Sequence, residues 1–171
     1  LIGHTVKTVA ENLLVGAVLV IAILLAFLRN LRAALIVATV IPLSLLCAFI
    51  MLDARNIPAN LISLGAVDFG IIIDGAVVLV EALMVRLAMT TFDPGMTPEA
   101  AHALRLSQLR RTVVEMGHPI LFAKAIIIVA FIPIFTFQRV EGKIFAPVAL
   151  TLSFAMLGAV VLTMTMVPTM L

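Results

Sequence analysis

Long apolar runs separated by short polar segments occupy most of this chain. Five of them are long enough to be candidate spanning helices, since about 20 mostly apolar residues cross a hydrocarbon core about 30 Å thick. The five runs cover residues 9–28, 33–52, 61–88, 119–137 and 145–170. This pattern predicts an all-α fold, a polytopic membrane helix bundle with about five transmembrane helices.

Residues 90–117 differ from the rest of the chain because charged residues and prolines return there. The Thr-Pro-Glu sequence at residues 97–99 is typical of a helix start, with threonine as the N-cap and proline in the first turn. Beyond it, Leu106, Leu109 and Val113 share one helical face, while most of the charged residues lie elsewhere. We therefore predict a cytoplasmic loop that carries one short amphipathic helix on the membrane surface.

Composition excludes several classes of protein. With 64% hydrophobic and 12% charged residues, a chain of this length has too little interior to bury its apolar side chains in a soluble core. A net charge of +2, without basic residues interleaved with aromatics, excludes nucleic acid and leaves the lipid bilayer as the partner. The chain lacks an initiator methionine and ends inside an apolar run, so we expect it to be part of a longer protein.

Lysines and arginines in the polar segments indicate the orientation, because cytoplasmic loops carry the excess of positive charge. One side would hold six arginines, namely Arg29, Arg32, Arg86, Arg105, Arg110 and Arg111. The other side would hold Lys7, Arg55, Arg139 and Lys143. We expect the larger group to face the cytoplasm.

The third apolar run carries three carboxylates, Asp68, Asp74 and Glu81. At about 100° and 1.5 Å per residue, Asp74 and Glu81 lie on nearly the same face of a helix, roughly 10 Å apart along its axis. Asp68 lies about 9 Å from Asp74 in the other direction and about 120° around the axis. Ionisable residues are rare in spanning helices and usually mark an ion pathway, so three in one run favour a functional role over structural pairing.

Such a helix can couple transport to protons. Desolvation raises the affinity of a carboxylate for a proton, and a nearby cation lowers it, so alternation between these surroundings binds and releases protons. A partner helix could approach closely over Ala66 and Gly70, which lie four residues apart on the side of Asp74, with Gly75 next to it. Lys124 lies only about one turn into the fourth run, where it could extend back to the basic side. We therefore expect the counter-charge to come from outside this chain.

Other candidate chemistry is weaker. Cys47 and the methionines near the C-terminal end suit packing better than metal binding, and the three histidines lack ligand spacing. No metal ligands are therefore assigned and no cofactor is expected. The absence of a Walker loop, a zinc-protease motif and a nucleophile elbow gives no support to ATP-driven transport or to an enzyme.

Residues 63–81 resemble the fourth transmembrane helix of heavy-metal efflux pumps in the resistance-nodulation-division (RND) superfamily. Residues 28–36 and 41–44 resemble the second and third helices of that family, and residues 140–147 resemble the turn between the fifth and sixth. Two aspartates in the fourth helix, with Ile72 where copper and silver pumps tend to carry methionine, are most similar to the cobalt-zinc-cadmium or nickel type. Two residues depart from the family, Ala82 for a common asparagine and His118 for a frequent arginine.

The resemblance implies a proton/cation antiporter, a secondary active transporter in the bacterial inner membrane that exports divalent cobalt, zinc, cadmium or nickel. It implies a homotrimer that works with a periplasmic adaptor and an outer-membrane channel. Asp68, Asp74 and Glu81 would be the proton-relay carboxylates, and the chain would cover the second to sixth helices. The metal-selecting residues would lie mostly in periplasmic domains outside it. Two alternatives stay open, namely an RND pump for drugs or other organic compounds and a non-transporting membrane scaffold or export accessory.

Overall fold

The computed structural model describes residues 2–28, 30–57, 69–91 and 95–171. Those residues form five α-helices and one short 3-10 helix, with no β-strand among them, which confirms the all-α prediction. The helices are α1 (Ile2–Leu28), α2 (Leu31–Ala54), α3 (Phe69–Met89), α4 (Pro98–Ala130) and α5 (Arg139–Met170), and the 3-10 helix covers Ile132–Thr136.

The helices pack side by side as a bundle. α2 makes its most extensive contact with α5, α3 packs against α2, α4 and α5, and α1 lies against α2 and α3. The core lies where α2, α3 and α5 meet, and it consists almost entirely of aliphatic side chains, including Val37, Val40, Ala48, Leu79, Leu83, Ala155 and Ala159. The carboxylate helix α3 therefore contacts all four of the other α-helices.

Small residues set the crossing of α2 and α5. A Cβ atom at Gly158 would lie 2.8 Å from Cβ of Cys47 and 3.5 Å from the backbone oxygen of Ser44. Real Cβ atoms essentially never approach as closely as the first of these distances, so the crossing requires glycine. Cys47 accordingly has a packing role at this contact, as its sequence context favours.

The helix α4 differs from the sequence prediction. Thr97 caps its start by accepting a hydrogen bond from the backbone nitrogen of Ala100 at 3.4 Å. The helix then continues through Pro119, so that the predicted surface helix and the beginning of the predicted fourth span form one helix of 33 residues. The physical reason is a buried face that stays in phase on both sides of Pro119, formed by Leu109, Thr112, Gly117, Ile120 and Lys124.

Three helical segments of the described chain are long and apolar enough to cross a membrane, judged by length and composition. They are Leu31–Ala54, Pro98–Thr136 and Val140–Met170. In α1 the apolar segment Leu14–Phe27 is shorter, and α3 carries Asp74, Glu81 and Arg86 within 21 residues. A spanning role for α1 and α3 therefore stays a prediction.

Candidate functional site

An ion pair joins α3 to α4, between a buried lysine and a half-exposed aspartate. Nζ of Lys124 donates hydrogen bonds to Oδ1 of Asp74 and to the backbone oxygen of Ile71, one turn earlier on α3. The lysine side chain is only 4% exposed, whereas the Asp74 side chain is 49% exposed. A buried ammonium needs acceptors to offset its desolvation, and these two oxygens supply them.

Gly75 allows the two helices to approach closely at this pair. A Cβ atom there would lie 2.9 Å from Cγ2 of Ile120 and 3.7 Å from Cε of Lys124, both on α4. Any larger residue would push against the helix that carries the lysine. The glycine next to Asp74 is therefore part of the geometry that brings carboxylate and ammonium together.

The sequence-based expectation for Lys124 was wrong. Instead of extending back toward the basic side, the side chain is buried and supplies the counter-charge that was expected from outside the chain. Because α4 is continuous, Lys124 lies nine residues beyond Glu115, which is about 14 Å along the axis. Its position in phase with Leu109 and Ile120 was the signal in the sequence that it faces the bundle.

The other predicted carboxylates have different surroundings. Asp74 and Glu81 both lie on the exposed side of α3, together with Val78 at 49% and Val85 at 51% exposure, as helical spacing predicts. Glu81 makes no hydrogen bond or ion pair within the described ranges. Asp68 lies outside the described residues, so its position relative to Asp74 stays a prediction.

An apolar groove of about 400 Å³ lies between α1 and α3 and reaches Asp74. Val20, Leu24 and Phe27 of α1 line one side, and Ile73 and Val77 of α3 line the other, next to Asp74. The carboxylate thus has a cation in the bundle interior and aliphatic side chains toward α1.

A second ionic cluster joins α3 to α4 where α3 ends. Arg86 donates to Oε2 of Glu115, and Nε of Arg111 donates to Oε1 at 2.7 Å. The hydrogen bond from Arg111, assisted by the positive charge of Arg86, lowers the pKa of Glu115, although partial desolvation opposes the shift. Glu115 lies in the segment before the predicted fourth span.

Two further arginines lie at the same end of the bundle. Arg32 at the start of α2 donates to the backbone oxygen of Met170 at 3.3 Å, and Arg105 on α4 donates to that of Leu171 at 2.8 Å. We call this end, which carries Arg32, Arg86, Arg105, Arg110 and Arg111, the arginine end. These arginines belong to the group that the charge pattern places on one side of the membrane. That this side is the cytoplasm stays a prediction.

No group of three or more His, Cys, Asp or Glu side chains within the part of the chain that the structure describes could hold a metal ion. The Asp74–Lys124 pair instead joins a carboxylate to an ammonium across two helices. Protonation of Asp74 would neutralise the carboxylate and release Lys124 from it, while the lysine keeps the carbonyl of Ile71 as an acceptor.

Comparison with known proteins places this geometry in context. The sequence profile of the AcrB/AcrD/AcrF family matches residues 1–171. Over 170 residues the chain is 47% identical to the nickel-cobalt-cadmium resistance protein NccA of Alcaligenes xylosoxydans xylosoxydans, covering 99% of this chain and 16% of that protein. Over 168 residues it is 47% identical to the cobalt-zinc-cadmium resistance protein CzcA of Cupriavidus metallidurans, covering 98% of this chain and 16% of that protein.

A solved structure has the same fold. The crystal structure of a heavy metal efflux pump, crystal form I, superposes with a TM-score of 0.83 at 42% identity, over 98% of this chain and 15% of that chain. The chain therefore spans about a sixth of the length of the proteins that it matches.

Proposed function

The chain belongs to the AcrB/AcrD/AcrF family, and from that premise we propose that it forms the proton-coupling part of a pump that exports divalent heavy-metal cations. The metals named for its relatives, which are nickel, cobalt, cadmium and zinc, support a substrate of this class. One observation carries the coupling role, namely the pairing of the half-exposed Asp74 carboxylate with the buried ammonium of Lys124.

The pair provides two states for Asp74. When Lys124 is in contact, its ammonium balances the charge of the carboxylate. When α3 and α4 separate at this level, the carboxylate keeps the apolar groove as its neighbour and loses its cation, so that a proton takes the place of the lysine. In one cycle between the two states, the Asp74 carboxylate binds one proton and then releases it. Lys124 returns to the carboxylate when the proton leaves.

The depth of Asp74 supports this role. Arg86 lies twelve residues from Asp74 on α3, which is about 18 Å along the axis. If the arginine end lies at the membrane boundary, Asp74 is near the middle of a hydrocarbon core about 30 Å thick. A proton that reaches this carboxylate has therefore crossed about half of the barrier.

Glu81 and Asp68 would continue the path in the two directions. Glu81 lies on the same exposed side of α3 as Asp74, about 10 Å nearer the arginine end. That separation is too wide for a direct hydrogen bond, so water has to bridge it. In this proposal Asp68 receives the proton on the external side and Glu81 passes it toward the cytoplasm.

The larger assembly is proposed on the same basis. We infer a multi-pass protein of the bacterial inner membrane, assembled as a homotrimer with a periplasmic adaptor and an outer-membrane channel. Proton entry through the carboxylate helix would drive metal export by antiport. The metal ligands would lie in parts of the pump beyond this chain, which accounts for one sixth of the relatives' length.

The test is Asp74→Asn in the full-length protein, with Asp53→Asn as the matched control. Asp53 is an exposed carboxylate near the end of α2, away from the ion pair. We expect Asp74→Asn to abolish resistance to the exported metal and proton uptake by proteoliposomes, with normal expression, while the control retains both. Full resistance of a normally expressed Asp74→Asn variant would show that the relay assignment is wrong.

Resistance profiles and proton flux also distinguish the metal pump from the two alternative functions. Resistance to dyes and detergents but not to zinc, cobalt, nickel or cadmium would identify an organic-compound pump. A scaffold predicts that neutralising Asp68, Asp74 and Glu81 together impairs assembly, with no change in proton flux. Loss of metal-dependent proton flux in correctly assembled protein excludes that role.

A further inference from the structure

A groove of about 810 Å³ lies at the arginine end, between α4 and α5, with the start of α2 at its edge. Arg32, Arg105 and Arg110 line its rim, and its walls are largely aliphatic, with Leu109 of α4 and Met164 of α5 among them. We call it the basic groove. We propose that the basic groove binds an anionic phospholipid, with the headgroup phosphate on the arginines and an acyl chain along the aliphatic walls.

The charge of the rim is not balanced within the described part of the chain. Arg32 and Arg105 donate only to backbone carbonyls, at 3.3 and 2.8 Å, and Arg110 makes no hydrogen bond or ion pair there. Arg86 and Arg111, by contrast, share the carboxylate of Glu115. Among the described residues, the three guanidinium groups of the rim therefore have no carboxylate partner, and guanidinium binds phosphate oxygens well because its donors form a planar fork.

The walls select a lipid over a soluble anion. Leu106 is 59% exposed and Val114 is 62% exposed on the α4 side, and Met170 is 47% exposed on the α5 side. A free phosphate ion would leave this aliphatic surface in water, whereas an acyl chain covers it. Basic pockets between membrane helices attract anionic headgroups, with each arginine near the surface contributing about fivefold in affinity.

The position of the groove suits a lipid at the membrane boundary. It lies along the part of α4 that the sequence predicts to be an amphipathic surface segment, and beside the end of α5, a helix apolar enough to cross a membrane. Lipid contacts here would bridge α2, α4 and α5. Such binding is independent of proton coupling, because no residue of the basic groove belongs to the Asp74–Lys124 site.

The test is a native mass spectrometry titration of the full-length protein with phosphatidylglycerol and, separately, with phosphatidylcholine of the same acyl chains. We expect the Arg105→Gln/Arg110→Gln variant to bind phosphatidylglycerol about 25-fold more weakly at its tightest site, since each arginine contributes about fivefold. The matched control is Arg55→Gln/Lys143→Gln, which removes two exposed charges at the other end of the bundle and is expected to bind as the wild type does. Equal binding of both phospholipids by the wild type would overturn the proposal.

Arg110→Gln alone keeps the test decisive if the double variant does not fold, because it breaks no hydrogen bond in the described part of the chain. We expect it to weaken binding of phosphatidylglycerol about fivefold. Unchanged binding by this variant would contradict the proposal. Displacement of the lipid by millimolar inorganic phosphate would identify a site for a free anion and would also contradict it.

A photoactivatable phosphatidylglycerol in proteoliposomes locates the site independently. Adducts are expected on residues 106–114 of α4 and 164–170 of α5, and their yield is expected to fall in the Arg105→Gln/Arg110→Gln variant. Adducts confined to other segments would show that the lipid binds elsewhere.

Discussion

A methyl group added at Gly75 tests whether helix approach controls the Asp74–Lys124 pair. In Gly75→Ala the new Cβ would lie 2.9 Å from Cγ2 of Ile120, so one of the two helices has to shift by several tenths of an ångström. Overpacking of this kind costs about 1–3 kcal/mol. A Gly→Ala change also improves helix propensity by about 1 kcal/mol. The net change at Gly75 therefore ranges from roughly neutral to about 2 kcal/mol of destabilisation.

Gly117→Ala is the matched control, because it makes the same gain in helix propensity without the close contact to Ile120. Gly117 is also buried in a helix, and a Cβ there would meet only Sδ of Met164, at an ordinary contact distance of 3.6 Å. The two variants gain the same propensity, so the difference between them reports the contact with Ile120. We expect Gly75→Ala to be about 1–3 kcal/mol less stable than Gly117→Ala.

The assay compares the thermal stability in detergent and the metal resistance of the full-length variants. The expected order of stability is Gly117→Ala at or above the wild type, with Gly75→Ala below it. Gly75→Ala should also lose transport out of proportion to its stability, because the shift carries Lys124 away from Asp74. If both variants match the wild type in stability and transport, close approach at Gly75 does not control the pair.

Three further predictions follow from other contacts. Lys124→Met is expected to abolish metal-dependent proton flux, as Asp74→Asn does. In a double-mutant cycle of stability, the coupling energy between the two changes should be about 0.6 kcal/mol and at most about 1.7 kcal/mol. Strict additivity of the two changes would refute the pairing. The pKa of Glu115 is lower in the folded protein than its ordinary value of 4.5, so its stabilising effect is present above pH 4.5 and is lost as the pH falls through the folded pKa. Thermal scans should therefore show the wild type above Glu115→Gln in stability at pH 7, with a gap that narrows below pH 4.5; a gap independent of pH would contradict this. Gly158→Ala is expected to range from roughly neutral to about 2 kcal/mol of destabilisation, because the gain in helix propensity offsets part of the overlap of its Cβ with Cβ of Cys47, 2.8 Å away. Cys47→Gly should recover part of that loss in the same scans. No rescue would mean that a different contact limits the crossing.

Local patterns predicted the fold class and part of the site. Helical periodicity and run length were sufficient for an all-α bundle, and a spacing of seven residues was sufficient to put Asp74 and Glu81 on one side of α3. These features depend on the geometry of a single helix, which is the same wherever the helix packs.

Tertiary packing decided the features that the sequence did not predict. Whether Lys124 extends to the membrane boundary or turns into the bundle depends on which face of α4 meets α3, and a small-residue contact at Gly75 settles that. The continuity of α4 through Pro119 depends in the same way on a buried face shared with neighbouring helices. A proline in an apolar run signals a possible break, and the packed neighbours of a helix can override it.

The two ionic contacts between α3 and α4 also have a mechanical consequence. Arg86–Glu115 and Asp74–Lys124 join the same two helices at two levels, about 14–18 Å apart along the helix axes. If the contact at the arginine end serves as a pivot, a tilt of about 10° displaces Lys124 by roughly 2–3 Å over that lever arm. A displacement of this size breaks a hydrogen bond and leaves the helices intact. In the proposed mechanism, a small rotation of α4 against α3 would therefore be sufficient to free the carboxylate.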